Sequence, residues 1–405
     1  MRTTVVFSAA LLVAFPSTRC ASGDGGGLPG AANGGGEPEG GGDAGGGIAD
    51  ECAGLGPATV GQPSASVVIS GGPDERWSPG ASDGSGTVAL KMTNDNQEPS
   101  LRIRLFDPSG AERGMYQAAE VTLGESVVGQ FEGFEVSYAD YAHDRGVLVA
   151  LDENGSVAAT TDITGAVPGP VRDDPRGGIV VLLRRTDSKP PIEVAAYDER
   201  LNLRFRTQLS STEQLLAIGV DRQGNTLVLL DGADRYGSGR VGGIWIDHSG
   251  NAGAEFLAVE GLASRPPLRL TPRVGSGLFA ALDPGAAAAV AWIRQFDAMG
   301  EGTAPPDWLA ARPGTTLHMA RNGRAYAVIH PARLDAVCHT DIEVVAPSGK
   351  SCGTAAFPAD QSGPFCSGNL VVGYDGTVVQ MGGIVFTGSG SNRTTTFRWW
   401  AGLLR

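Results

Sequence analysis

Phe106-Asp107-Pro108-Ser109-Gly110, Leu151-Asp152-Glu153-Asn154-Gly155, Ile246-Asp247-His248-Ser249-Gly250 and Phe296-Asp297-Ala298-Met299-Gly300 are four copies of one bend, apolar–Asp–x–x–Gly. Two degenerate copies, Tyr197-Asp198-Glu199-Arg200 and Val345-Ala346-Pro347-Ser348-Gly349, fall in register with them. The copies at 107, 152, 198, 247, 297 and 347 are 45, 46, 49, 50 and 50 residues apart. A period of about 48 residues with short strands and turns reads as a β-propeller, one four-stranded blade per repeat.

A second series of turns lies roughly half a period before each bend: Asp83-Gly84-Ser85-Gly86, Glu132-Gly133, Asp174-Pro175-Arg176-Gly177, Asp221-Arg222-Gln223-Gly224, Gly275-Ser276-Gly277, Asn322-Gly323 and Asp375-Gly376. Asn-Gly and Asp-Gly supply the positive φ that tight hairpins demand. Apolar and β-branched runs follow most of them, among them Thr226-Leu227-Val228-Leu229-Leu230 and Ala325-Tyr326-Ala327-Val328-Ile329, and read as strands. The seven turns mark the hairpin between the first and second strands of each blade, and the aspartate bends mark the hairpin between the third and fourth. No stretch after the N-terminal segment sustains a helical period.

The expected fold is therefore all-β: a propeller of seven four-stranded blades. The 342 residues from Ser64 to Arg405, divided by seven, give about 49 per blade, which agrees with the bend spacing. The last repeat runs out of chain after the strand Thr394–Trp400. The segment Ser64–Ser70, with Val67, Val68 and Ile69, precedes the first blade and has no partner of its own. It is expected to close the ring as the outer strand of the last blade, which removes an open sheet edge.

Ahead of the repeats, Arg2 and the apolar run Val5–Phe15 form a segment too short to span a bilayer, followed by Pro16-Ser17-Thr18-Arg19-Cys20. Residues 1–20 resemble a bacterial lipoprotein signal, in which the cysteine, here Cys20, becomes the lipidated N-terminus. The sequence departs from that pattern at Arg19, where a small residue is usual. The resemblance implies an exported protein held at the cell envelope, on the outer membrane or the surface. The alternative is ordinary cleavage near Cys20 to Ser22 and free secretion. Residues 21–51 are glycine-rich with little apolar bulk, the composition of a disordered tether. The propeller domain is expected over 52–405.

The formal charge is −13, and removal of Arg2 and Arg19 with the signal makes it about −15. Such a surface repels phosphate backbones and anionic lipid, so no nucleic-acid partner is expected and membrane contact is expected only through the anchor. Apart from Cys20, the cysteines are Cys52, Cys338, Cys352 and Cys366. An even number in an exported chain suggests two disulfides. Their spacings lack the close pairs of a zinc site. In the propeller topology, Cys338 and Cys366 fall in loops on one face of blade six. Cys352, after the blade-six bend, and Cys52, ahead of the closing strand, fall on the other. The expected bridges are Cys338–Cys366 and Cys52–Cys352.

The chemistry-bearing residues form no known catalytic pattern. His143, His248, His318, His330 and His339 make no H-E-x-x-H or i, i+4 ligand pair, and there is no G-x-S-x-G elbow or phosphate loop. No metal or cofactor is expected. The repeated aspartates are read as structural, because an Asx side chain can hold a bend by bonding the backbone two residues on. The bends resemble the Asp-box turns of sialidases but lack the closing Trp of that motif, so the activity is not carried over.

What remains is the face formed by the loops between second and third strands and between blades. It carries residue types that anchor interfaces: Tyr141 and His143 in blade two, Arg235 and Tyr236 in blade four, Trp308 after blade five, and His339 in blade six. The reading is a monomeric, non-catalytic binding or scaffolding propeller whose partner is an envelope protein or a polysaccharide. The alternative is a secreted glycan-active enzyme, a hydrolase or lyase, with paired carboxylates in the propeller channel.

Overall fold

Seven antiparallel sheets of four strands follow one another along the chain. The computed structural model describes residues 50–404 apart from 58–59, 95–99, 141, 186–191, 210–214, 263–267, 283–290, 320–322, 331–332, 335–337, 358–369 and 388–391. In blades one to six the order within the sheet is the order in the chain, innermost strand first. The first strands are Glu75–Ser82, Thr122–Gly129, Ala166–Asp173, Leu215–Val220, Leu268–Pro272, Thr316–Met319 and, in blade seven, Leu370–Val372. Neighbouring first strands pack against one another around the axis from blade seven through blade one to blade six. The protein is a seven-bladed β-propeller.

Blade seven is completed from the other end of the chain. Its strands Leu370–Val372, Val378–Thr387 and Asn392–Trp400 are followed by Ala65–Gly71, which pairs antiparallel with the last of them, from Ala65 opposite Trp399 to Gly71 opposite Arg393. The closing strand thus lies within a residue of its expected place. Alternation sets its register: Ala65 and Ile69 are buried, while Ser66, Val68 and Ser70 are exposed.

The second strands show why the repeat reads as continuous apolar runs. Leu227, Val228, Leu229 and Leu230 are all fully buried. Leu227 and Leu229 pack in a cluster shared with blade five, and Val228 and Leu230 in one shared with blade three. A strand with neighbours on both faces has no polar side to show. Seven such clusters lie between successive blades, including the one between blades seven and one that contains Ile69, Trp77, Phe106, Phe397 and Trp399.

Four aspartate bends are held by the side chain as expected, while at Asp297 the carboxylate accepts from Arg273 instead. Asp107 Oδ1 accepts the N–H of Ser109 (2.8 Å) and Ala111 (3.0 Å). Asp152 does the same for Asn154 and Ser156, Asp198 for Arg200 and Asn202, and Asp247 for Ser249 and Asn251. The first hairpins carry a second device. Asp83 Oδ2 accepts the N–H of Gly133 in blade two (3.3 Å). Gln130 exchanges two hydrogen bonds with Gly178 in blade three. Asp221 accepts from Gly277 in blade five (3.3 Å), and Asp375 from Ser82 in blade one (2.7 Å). Polar side chains at these hairpins fasten one blade to the next. At the same end Arg222 of blade four donates to Gly323 O of blade six (3.0 Å).

The Cys52–Cys352 bridge is present, with Cα atoms 5.2 Å apart. Around it Lys350 pairs with Asp50 (3.0 Å), Ser348 Oγ donates to Glu51 (2.6 Å), and Leu55 is buried between blades six and seven. The Cys338–Cys366 pairing lies outside the described residues, as does Cys20. No described helix is long and apolar enough to cross a membrane.

Candidate functional site

The second and third strands of blade two, Phe134–Asp140 and Arg145–Leu151, place Asp140 opposite Arg145 across a short connection. Asp144 turns the chain there with a φ of 52°. The Asp140 side chain is fully buried. Its Oδ1 accepts the N–H of Ala142 (3.1 Å) and His143 (3.3 Å), and its Oδ2 meets His143 Nδ1 (2.7 Å) and accepts from Arg145 Nε (3.0 Å). Burial opposes ionisation of Asp140, but the hydrogen bonds from Arg145 and His143 outweigh it and hold the carboxyl below its usual range.

Arg145 gathers two further carboxylates, Asp162 from the fourth strand (2.5 Å) and Glu120 from the segment entering the blade (3.4 Å). Glu120 also accepts from Tyr138 (3.3 Å), whose hydroxyl lies 3.1 Å from that of Tyr116. Burial first, and then the bond to Tyr116, push the Tyr138 hydroxyl up, so it stays protonated as a donor. The His143 ring is 66% exposed. With Nδ1 against Asp140, the ring is oriented and its Nε2 edge faces solvent. Leu123, opposite Ala139 and 52% exposed, adds an apolar surface next to Asp140. The arrangement is suited to hydrogen bonding: an oriented imidazole, an anchored guanidinium and a tyrosine pair around a fixed carboxylate.

The other candidates from the sequence are placed as follows. Tyr141 lies outside the described residues. Arg235 and Tyr236 belong to a short helix, Ala233–Tyr236. Arg235 pairs with Glu255 (2.6 Å) and stacks on Tyr236 at 5.6 Å. Trp308, in the helix Asp307–Ala310, is built into the packing of blades five and six against Tyr326 (5.5 Å) and Phe279 (6.0 Å). The backbone of His339 pairs with Arg333 in a small hairpin between the second and third strands of blade six. At that hairpin's base, Arg312 holds Glu343 through two bonds (2.9 and 2.8 Å), and His330 meets the same carboxylate (3.1 Å). Arg312 foremost pulls Glu343 down to about 2. Of the rim residues singled out in the sequence, the structure joins His143 into a network with Arg145, Glu120 and Asp162, which the sequence reading did not name. Asp140 and Arg145 on either side of a short turn were the available signal, since hairpin pairing sets such residues opposite each other. No cluster of metal ligands occurs among the described residues.

No protein-family model matches the chain, and no curated protein sequence matches it. Solved structures that it resembles include a streptogramin B lyase, at 9% identity over 82% of this chain and 97% of that one, with a TM-score of 0.43. The Dos1 propeller matches at 8% identity over 76% and 75%, with a TM-score of 0.39. A quinohemoprotein alcohol dehydrogenase from Pseudomonas putida matches at 11% identity over 84% and 76%, with a TM-score of 0.38. Likeness at this level carries nothing about function, and the class of the protein rests on its own sheet topology.

Proposed function

We propose that the protein is an exported, non-catalytic binding propeller, anchored at the cell envelope through Cys20, that engages an envelope protein or polysaccharide with the loop face around His143 and Arg145. The observation that carries the exported part of this reading is the Cys52–Cys352 bridge. Structural disulfides persist in oxidising compartments, and this one fastens the segment directly after the glycine-rich stretch to the propeller. The binding part rests on the blade-two network, which aims hydrogen-bonding groups outward and ties its carboxylates to Arg145.

The glycan-active alternative calls for two carboxylates facing each other across the channel. Among the described first strands, Glu75 is engaged with Arg102 and Glu125 with Thr122. The other ionisable positions on these strands are Arg76, Arg172, Asp173, Arg269 and His318. This set favours binding over general acid–base cleavage.

Intact mass and membrane partition of the protein from its native host test the reading. A mature chain beginning at acylated Cys20 in the membrane fraction is expected, with Arg145→Ala abolishing the cross-links formed from a photoreactive residue at Leu123. An unmodified chain in the medium overturns the anchor, and cleavage of a glycan panel overturns the non-catalytic assignment.

A further inference from the structure

Lysine is rare in this chain. Of its 31 Lys and Arg residues, three are lysines: Lys91, Lys189 and Lys350. Lys350 is an exposed residue paired with Asp50 (3.0 Å). Lys91 is placed differently. It lies on the second strand of blade one, Val88–Asn94, near the end that meets the loop face. Alternation puts it on the same side of that strand as Ala89. Its cross-strand neighbour Ile103 belongs, with Ala89, to the apolar cluster between blades one and two. The stem of Lys91 therefore runs along that cluster, and the residue is only partly exposed.

The first strand of blade two supplies the partner of the amine. Its pairing with the second strand shifts register between Leu123 and Ser126, so Gly124 and Glu125 together stand opposite the single residue Tyr138. Gly124 takes a φ of 67° at this bulge. The Glu125 carbonyl accepts from Lys91 Nζ (2.9 Å). The Glu125 carboxylate is engaged elsewhere, its Oε1 accepting from Thr122 Oγ1 (2.6 Å). Lys91 makes no ion pair among the described residues. Ser78 lies directly opposite it, and the Ser100 hydroxyl is 3.0 Å from that of Thr122. Burial, the larger effect, lowers the Lys91 amine from its usual range, and the charge of Glu125 restores only part of the loss.

A half-buried lysine held by one neutral acceptor keeps a larger share of unprotonated amine than an ion-paired surface lysine. Unprotonated, that amine is a nucleophile toward carbonyl carbon. We propose that Lys91 is a covalent ligand site on the loop face, at the seam between blades one and two, where its amine captures an aldehyde as a reversible Schiff base. The nitrogen adds to the carbonyl carbon, and one N–H proton passes to the oxygen. The carbinolamine then loses its hydroxyl, with the second N–H proton, as water, leaving a C=N bond. Addition of water reverses both steps, so the capture consumes no oxidant or reductant. The site lies beside the blade-two rim, since Thr122 pairs with Asp140. It does not depend on the role given to that rim.

Glyceraldehyde is the probe, with cyanoborohydride added to reduce the imine to a stable secondary amine. Peptide mapping of the full chain after short exposures near neutral pH reads each lysine separately. Lys91 should be labelled at least about fivefold faster than Lys350. In urea, where both are ordinary exposed lysines, that preference should vanish. Without the reductant, the mass of the adduct should disappear on dilution. Lys91→Arg keeps a cation on the Glu125 carbonyl but cannot form an imine, so it should lose the fast adduct and leave labelling of Lys350 unchanged. If that variant fails to fold, as judged by near-ultraviolet circular dichroism, the site-by-site rates in the parent still decide. Labelling of Lys91 no faster than Lys350 in the folded chain, or a preference that persists in urea, overturns the site.

Discussion

Glu135, in the second strand of blade two, is 2% exposed. Gln130 donates to its Oε2 (3.0 Å), and its Oε1 has no partner among the described residues. Burial foremost, then the neighbouring Glu199 and Asp198, push the carboxyl from 4.5 up to about 9. Between those two values the folded protein keeps a proton that the unfolded chain has lost, so stability falls as pH rises, by up to about 1.4 kcal/mol per unit. Glu135→Gln is isosteric and cannot ionise. It should match the parent near pH 4 and exceed it by about 1–4 kcal/mol at pH 8. Urea unfolding of both proteins across that range checks this, and parallel stability curves would refute it. At this scale the sequence was only partly legible. His143 stood out as a loop residue, whereas Arg145, Glu120 and Asp162 come from three different segments, and only the folded blade brings them together. Leu201 shows a different kind of departure. It occupies the place that glycine holds in the other bends, at a φ of 59°. A left-handed leucine costs about 1–2 kcal/mol. Burial of its side chain between blades two and three, at about 1.5–3 kcal/mol, offsets that.

At the scale of the element, the closing strand Ala65–Gly71 couples the two ends of the chain, and its alternating burial gives a direct test. Ile69 packs among Trp77, Met92, Phe397 and Trp399, whereas Val68 is 61% exposed. Ile69→Ala should cost about 2–4 kcal/mol, and Val68→Ala should stay within about 0.5 kcal/mol. The loss at Ile69 should also speed amide exchange in its partner, residues 393–399, as the strand frays. Equal effects at the two positions would mean that the strand is not held in this register. The turns and strands of the blades were readable from sequence because each blade obeys the same local rule, an aspartate or glycine turn followed by an apolar run. The closing strand was readable by elimination, as an unpartnered apolar segment facing an incomplete blade. The short helices Ala233–Tyr236 and Asp307–Ala310 were not, because four residues cannot establish a helical period.

At the scale of the molecule, ring closure depends on two fastenings in different places. The Cys52–Cys352 bridge ties the segment leading into blade one to the outer strand of blade six, across 300 residues of chain. The other lies between blades seven and one, where Ser82 bonds Asp375 (2.7 Å) and Tyr374 N donates to Ser82 O (3.0 Å). Gly373 makes that seam possible, since a Cβ there would lie 1.8 Å from Ser82 Oγ. Gly373→Ala should therefore open the seam. Cys352→Ser should cost about 2–5 kcal/mol through the lost cross-link. In an open stack of blades these distant changes would add. In a closed ring, opening at one place releases the constraint that the other was maintaining, so the second change finds less to break. The double variant should lose less stability than the sum of the two single losses, by about 1 kcal/mol or more. Urea unfolding of the parent, both single variants and the double variant measures this coupling, and strict additivity would show that the two fastenings act as local contacts rather than as parts of one ring.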